Sequence, residues 1–339
     1  MNRWFGLLLL LLVFACDSEE DKAGRFLLKG NEALNKGQYN EAVRFYTEAI
    51  AKNDQFIEAY NNRGVASYKD GKYIEAISDY SKILMQLDPE FFEARRNRVN
   101  AYLDAKRYEK ALEDLEVLSQ KFPDSAFVDF SKGLVYHEMK DFKASIQSFE
   151  QSFEKDGSNA ETLVNVANGY YMVGELDQAR QTLESAIGLN AKEPNSYNTL
   201  ALIATEEKDY ELALVRVNEA LALDVGNPYF LNNRGYIHLL MGNLEEAEPD
   251  IRRAIIGSPQ NPWAYRNRGI LFYLKDRFDD AVRNFEQAAK FDDKIPRLNY
   301  YWAMSLKNLG RMEEACTRTD FLKDKNANES KKLIAEVCR

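Results

Sequence analysis

Histidine and cysteine are scarce in this chain of 339 residues, which holds two histidines and three cysteines. His137 and His238 stand far apart, and no set of histidine and cysteine residues has the spacing of a metal site. A glycine-rich phosphate loop and a serine nucleophile elbow are also missing. The sequence therefore predicts a protein that is not an enzyme and that uses no metal ion or cofactor.

The sequence also lacks an excess of positive charge and a long apolar run. The 45 lysine and arginine residues are outnumbered by 54 aspartate and glutamate residues, which gives a formal net charge of -9. Because a nucleic acid would require a clustered basic face, we exclude it as a partner. The apolar run at residues 6–14 is shorter than the ~20 residues that a membrane-spanning helix needs.

Residues 1–15 have the organisation of a secretory signal peptide, with Arg3 at the start, an apolar run and the small residue Ala15 at the end. Cys16 follows directly. The segment Val13-Phe14-Ala15-Cys16 resembles the lipobox of bacterial lipoproteins, although that family usually has a smaller residue in place of Phe14. The resemblance implies acylation of Cys16 and an N-terminal membrane anchor. A plain signal peptide cut near Ala15 is the alternative.

Acidic residues dominate the segment that follows, and we interpret residues 16–22 as a tether. The segment looks like the acidic export tag of surface lipoproteins from Bacteroidota-type bacteria. The alternative is a solvated tether that holds the folded part away from anionic headgroups. Together with the anchor, the segment predicts a protein of the cell envelope. We favour the outer membrane over the inner membrane. Exposure at the cell surface is left open.

The rest of the chain repeats with a period of 34 residues. A small residue marks each period, a large apolar residue stands three positions before it, and glycine or alanine stands twelve positions before it in eight of nine cases. Because small side chains let two antiparallel helices approach while large ones fill the space beside them, each period predicts a helical hairpin. The markers are Ala42, Ala76, Ala111, Ser145, Ala179, Ala213, Ala247, Ala281 and Ala315, and the step from Ala76 to Ala111 is 35 residues.

Proline recurs at the same spacing, at Pro194, Pro228, Pro262 and Pro296, where first helices are expected to begin. Together these positions resemble the tetratricopeptide repeat family over about residues 23–325. The resemblance implies an all-α, right-handed superhelical solenoid whose first helices line a concave wall. We expect hairpins at residues 23–56, 57–91, 92–125, 126–159, 160–193, 194–227, 228–261, 262–295 and 296–325, followed by a capping helix at residues 326–339.

Asparagine recurs at the positions that the resemblance implies to be inward-facing. Such a column looks like the asparagine ladder of tetratricopeptide proteins that grip extended peptides, since an amide both donates and accepts hydrogen bonds. The alternative is that these amides bond a neighbouring helix or are solvated. The candidates for partner binding are Asn61, Asn62, Asn97, Asn100, Asn165, Asn168, Asn232, Asn233 and Asn267, with Tyr171, Tyr229, Trp263, Arg266 and Tyr273 as pocket residues that alternatively touch only each other.

Arginine follows asparagine at four equivalent positions: Arg63, Arg98, Arg234 and Arg268. We interpret these arginines as partners of an Asp or Glu in the neighbouring structure, in preference to a carboxylate of a bound protein. The carboxylate clamp that binds chaperone C-termini is excluded, because Leu27 stands where the resemblance requires its first lysine.

The predicted function is that of a lipid-anchored scaffold that binds extended peptides or protein partners on its concave face. A dedicated assembly lipoprotein, similar to pilotins or outer-membrane assembly factors, is one alternative, and a glycan-binding envelope lipoprotein is another. Cys316 and Cys338 either form a disulfide, which an exported chain permits, or remain two half-buried thiols.

Replacement of the predicted lipidation site tests the membrane anchor. The Cys16→Ser variant should leave the membrane fraction, because a serine cannot carry the thioether-linked lipid. Fractionation of cells followed by immunoblotting measures this, with Cys316→Ser as the matched control. A processed Cys16→Ser chain that stays with the membranes would show that lipidation is not the anchor.

Overall fold

The computed structural model describes residues 18–322 and 327–338. The predicted signal peptide and Cys16 lie outside the described residues. Within them the regular elements are helices, and no strand is present, which confirms the all-α prediction. None of the described helices is long and apolar enough to cross a membrane. The chain divides into an N-terminal unit, Met1–Asp156, and a C-terminal unit, Gly157–Arg339.

The N-terminal unit contains four helical hairpins in its described part. Within the unit, each second helix packs against its own first helix and against the first helix of the following hairpin. The hairpins are α1 (Glu19–Asn35) with α2 (Tyr39–Lys52), α3 (Ile57–Lys69) with α4 (Tyr73–Lys82), α5 (Phe92–Asp104) with α6 (Tyr108–Lys121), and α7 (Ala126–Glu138) with α8 (Phe142–Lys155).

The C-terminal unit contains five hairpins and a final single helix among its described residues. These are α9 (Ala160–Val173) with α10 (Leu176–Leu189), α11 (Pro194–Glu206) with α12 (Tyr210–Leu223), α13 (Pro228–Met241) with α14 (Leu244–Gly257), α15 (Pro262–Leu274) with α16 (Phe278–Phe291), α17 (Leu298–Asn308) with α18 (Met312–Thr319), and α19 (Asn328–Val337). A disulfide joins Cys316 to Cys338 and so connects α18 to the end of α19.

The two helices of a hairpin meet where a glycine on the first helix lies against a buried ring on the second. A Cβ atom added to Gly30 would lie 2.4 Å from the ring of Tyr46, and one added to Gly269 would lie 2.4 Å from the ring of Phe285. Both rings are fully buried. Where the residue twelve positions before the marker is glycine, its missing side chain therefore makes room for the large residue four positions after the marker.

The acidic segment does not extend as a tether through residue 22, because α1 already begins at Glu19. Ser18 caps the helix: its Oγ accepts a hydrogen bond from the backbone N–H of Asp21 (3.0 Å), and its own backbone N–H donates to the Asp21 carboxylate (3.1 Å). Acidic residues in a first turn also interact favourably with the helix dipole. The tether prediction is therefore wrong for residues 19–22, whose charges stabilise a helix start.

Proline occupies the first position of α11, α13 and α15, as the spacing predicts. Pro296 differs, because α17 begins two residues later at Leu298. Arg297 lies between them with a φ of 63°, in the left-handed region, where an L-residue cannot continue a right-handed helix. The expectation that Pro296 starts the ninth hairpin is therefore wrong by two residues.

The single step of 35 residues has a local structural cause. A π-helix at Ile83–Leu87 follows α4 directly, and such a wide turn accommodates one residue more than the α-helical turn of the other repeats. Ile83 and Leu84 remain buried, while Met85 is 76% exposed. The insertion thus leaves the buried face of the repeat intact.

Substitution of Gly269 tests the close helix contact. Gly269→Ala should lower the free energy of unfolding by ~1–3 kcal/mol, because the new methyl group overlaps the ring of Phe285. Gly188→Ala is the matched control, since a Cβ at this helical position of α10 meets nothing within 4 Å and should stabilise by about 0.5–1 kcal/mol. Urea denaturation followed by circular dichroism measures both changes. Equal midpoints for the two variants would contradict the packing argument.

Candidate protein-binding site

Asparagine side chains of the N-terminal unit bond each other across successive hairpins. The Nδ2 of Asn62 donates to the Oδ1 of Asn31 (3.0 Å), and the Nδ2 of Asn97 donates to the Oδ1 of Asn61 (3.1 Å). Asn61 in turn donates to the carboxylate of Glu93 (3.2 Å). Each of these bonds links the first helices of two neighbouring hairpins, so the amides contribute to stacking.

The C-terminal unit repeats this arrangement. The Nδ2 of Asn233 donates to the Oδ1 of Asn198 (2.8 Å), and the Nδ2 of Asn267 donates to the Oδ1 of Asn232 (2.8 Å). One step earlier, the hydroxyl of Thr199 donates to the Oδ1 of Asn168 (2.9 Å). Threonine thus fills the same role where the amide is missing.

Burial corrects the expectation of an open amide column. Asn61, Asn232 and Asn267 are buried, with exposures of 4%, 5% and 0%, because the next hairpin covers them. Asn165 does not bond an asparagine of a neighbouring hairpin in the described residues. Its Nδ2 donates instead to the carbonyl oxygen of Glu161 on its own helix (3.1 Å). Asn100 is exposed and remains open to a partner.

The arginine that follows the asparagine pairs within its own hairpin in three of the four cases. Nε and Nη2 of Arg63 both donate to the carboxylate of Asp79 (2.9 and 2.7 Å), and Arg98 contacts Asp114 in the same way (2.7 and 2.8 Å). Arg234 does so with Asp250. The predicted internal pairing is thus confirmed for these three. Arg268 has the neutral Asn284 as the corresponding acceptor.

A cavity of about 630 Å³ opens in the N-terminal unit beside the half-buried Asn97. Phe92 and Phe127 line it, and the ring of Phe122 stands edge-on to Phe92 with 5.0 Å between centroids. The guanidinium of Arg96 stacks on Phe127 at 4.3 Å from the ring centroid. Because α5, the end of α6 and the start of α7 supply these groups, the stacking of two hairpins creates the cavity.

Comparison with known proteins identifies the repeat. Tetratricopeptide repeat profiles match residues 30–71, 67–129, 130–158 and 209–262. The chain belongs to the tetratricopeptide repeat family. Proteins of this family are in general interaction scaffolds without enzymatic activity, and this chain is accordingly a scaffold for protein–protein interaction. A search among curated protein sequences gave no significant match.

Two solved structures illustrate the shared fold. The APC/C hetero-tetramer Cut9-Hcn1 aligns with a TM-score of 0.66 and 15% identity, over 94% of this chain and 76% of the other. A tetratricopeptide repeat protein from Parabacteroides merdae aligns with a TM-score of 0.52 and 18% identity, over 84% of this chain and 99% of the other. At these identities the likeness concerns the helical-repeat fold alone.

The aromatic candidates of this tetratricopeptide repeat protein lie in the C-terminal unit in different settings. Tyr229 and Trp263 are 58% and 40% exposed at the starts of α13 and α15. The hydroxyl of Tyr171 donates to the carboxylate of Glu206 (3.5 Å), while burial raises the pKa of Tyr171. The ring of Tyr273 packs against Tyr301 at 5.4 Å between centroids, so Tyr273 serves packing within the unit.

Arg266 is buried, although the sequence predicts it as a pocket residue open to a partner. Its guanidinium contacts the rings of both Tyr236 and Trp263, with 4.6 Å to each centroid. Stacking of α15 against its neighbours has enclosed this side chain.

The two histidines occupy structural positions on first helices. The ring of His137 packs edge-on against Phe142 at 5.5 Å between centroids. His238, on α13, is half-buried, and in the described part of the chain its Nδ1 has no hydrogen-bond partner. Among the described residues no group of histidine, cysteine and carboxylate side chains could hold a metal ion.

Sequence reasoning missed Phe92, Phe122 and Arg96 as cavity residues. Phe122 follows the end of α6, and the repeat pattern assigns no role to that position. A usable signal was present, because Phe92, Arg96 and Asn100 are spaced by four residues and so share one face of α5.

His238 should make stability depend on pH. Burial lowers the pKa of His238 in the folded chain. Such a histidine contributes its full stability above the unfolded pKa of ~6.5. That contribution is lost as the pH falls, because protonation then favours the unfolded chain. Between about pH 8 and pH 5, the urea midpoint of the wild type should therefore fall more than that of His238→Gln. His137→Gln is the matched control, and identical slopes for wild type and His238→Gln would rule out this contribution.

Proposed function

We propose that this tetratricopeptide repeat protein is a lipid-anchored scaffold of the cell envelope that holds an extended segment of a partner protein. The single observation that carries the proposal is the cavity beside α5, where apolar rings meet the polar side chains of Arg96 and Asn100. The cavity lies in the N-terminal unit, and the predicted anchor precedes that unit's first helix in the sequence.

The apolar part of the cavity fits a large side chain of the partner. Phe92, Phe122 and Phe127 supply three ring surfaces, and Phe122 is 41% exposed. The volume of about 630 Å³ falls in the range of ~300–1,000 Å³ that is typical of ligand sites in proteins. An apolar side chain that fills such a pocket is the usual anchor of a protein interface.

Polar groups at the same cavity suit the main chain of the partner. Asn100 is exposed and forms no hydrogen bond within the described residues, so both its N–H groups and its oxygen are available. Arg96 is exposed and forms no ion pair there, so it favours an acidic residue close to the apolar anchor. An extended segment of the form apolar–acidic is the ligand that these groups favour.

The predicted anchor supports a location close to the membrane surface. Acylation at Cys16 would place the lipid three residues before Glu19, where α1 begins. Three residues span about 10 Å at ~3.3–3.6 Å per residue. The first hairpin would therefore lie against the headgroups, and partners would be met at the envelope surface.

Peptide selection tests the proposed ligand class. The full chain in detergent is used to select binders from a displayed library of random peptides. We expect the selected peptides to combine an aromatic or large aliphatic residue with an acidic one. The double variant Arg96→Gln/Asn100→Ala should bind them at least about tenfold more weakly, a difference of ~1.4 kcal/mol.

Met85→Ala is the matched control for the selection, because Met85 is exposed in the same unit and lies outside the cavity. Its affinity for the selected peptides should equal that of the wild type in isothermal titration calorimetry. A library that yields no binders, or binders that the double variant retains at full affinity, would refute the proposed site.

A further inference from the structure

Arg266 is a buried cation without an acidic partner. It is 3% exposed on α15, and among the described residues it forms no ion pair. Arg63, Arg98 and Arg234 show the contrast, since each contacts a carboxylate of its own hairpin through two hydrogen bonds. A buried charge is costly unless an opposite charge and hydrogen bonds compensate it. The buried positive charge of Arg266 is thus not compensated by a carboxylate of the described residues.

The hydrogen bonds of Arg266 go to neutral oxygens. Nε and Nη2 both donate to the Oδ1 of Asn267 (3.0 and 2.7 Å), and Nη1 donates to the carbonyl oxygen of Pro296 (3.1 Å). A guanidinium has five N–H bonds, and the two that remain, one on each Nη, have no acceptor in the described part of the chain. These two N–H bonds are suited to a planar carboxylate that accepts from both.

A second arginine, Arg297, acts electrostatically on Arg266. Arg297 directly follows Pro296, whose carbonyl oxygen contacts Arg266, and its left-handed φ of 63° sets it at the start of α17. Burial lowers the pKa of Arg266 to about 10, and the charge of Arg297 acts in the same direction. The two guanidinium groups therefore repel each other, and the side chain of Tyr301 is hydrogen-bonded to Arg297.

The charge balance favours a monoanion. Glu329, on α19, acts electrostatically on Arg297 without forming an ion pair with it in the described residues, so it offsets part of the positive charge. One further negative charge then suffices to compensate the two arginines. Trp263, which stacks on Arg266 and is 40% exposed, offers an apolar surface to a chain that carries the charge.

We propose that Arg266 and Arg297 form a binding site for a carboxylate of a partner polypeptide. Arg266 is the pre-oriented donor, held by its hydrogen bonds to Asn267 and by contact with the rings of Tyr236 and Trp263, and the exposed Arg297 is the group that a carboxylate meets first. The site lies wholly within the C-terminal unit and does not depend on the cavity beside α5. It therefore adds a second contact of different chemistry to the scaffold.

Tryptophan fluorescence of the full chain in detergent tests the proposal, since Trp263 lies against Arg266. Four probes are titrated: a short Gly-Ala peptide with a free C-terminal carboxylate, the same peptide capped as an amide, the capped peptide with one internal glutamate, and inorganic phosphate. We expect both carboxylate peptides, or one of them, to give a saturable change and the capped neutral peptide to give none. The two carboxylate peptides distinguish a chain terminus from an acidic side chain.

Variants separate recognition from folding. Arg297→Gln alters an exposed side chain and should weaken carboxylate binding at least tenfold without unfolding the chain. Arg266→Met should abolish binding, and its folding is measured separately by circular dichroism, because the substitution also leaves the buried Oδ1 of Asn267 without its two donors. Arg268→Gln is the matched control on the same helix, since its side chain bonds Asn284 and stacks on Tyr265, and it should bind as the wild type does.

Three results would overturn the proposal. The first is binding of the capped neutral peptide as tightly as the carboxylate peptides. The second is binding of inorganic phosphate in preference to the carboxylates, which would make this a phosphate site. The third is a folded Arg297→Gln variant with unchanged carboxylate affinity.

Discussion

In five of the described hairpins a glycine on the first helix lies against a large buried side chain on the second. Gly64 faces the ring of Tyr80, Gly235 faces Ile251, and Gly269 faces Phe285. This contact sets the distance between the two helix backbones, and a methyl group in the wrong place would force them apart. The stacking of hairpins depends on this contact, because successive hairpins pack regularly only if the distance between their two helices is similar.

Stacking then pairs several of the asparagine side chains that the first helices carry. Amide-to-amide bonds such as those from Asn62 to Asn31 and from Asn233 to Asn198 connect consecutive hairpins. Buried polar groups must find such partners, since an unsatisfied donor or acceptor in the interior is costly. The groups that we propose for recognition are Asn100 and Arg96 in one unit, and Arg266 and Arg297 in the other.

The fold was largely predictable from the sequence, because hairpin packing depends on residue size at fixed spacing. The exceptions have local causes that spacing does not report. Ser18 and Asp21 form a reciprocal cap that starts α1 within the acidic segment, and Arg297 adopts a left-handed conformation that delays α17. The extra residue after Ala76 was visible as a 35-residue step, but the π-helix at Ile83–Leu87 that contains it was not.

The candidate site was predictable in its residue types and much less in its members. By itself the sequence determined an array of helical hairpins with asparagine on the first helices, since the periodic pattern acts within one repeat of the chain. Tertiary structure alone decided which asparagines remain accessible. Asn97 and Asn61 are 36 residues apart and Asn267 and Asn232 are 35, so each bond needs a neighbouring hairpin in place. Burial at such positions depends on the neighbouring hairpins, so it cannot be read from the sequence of one repeat.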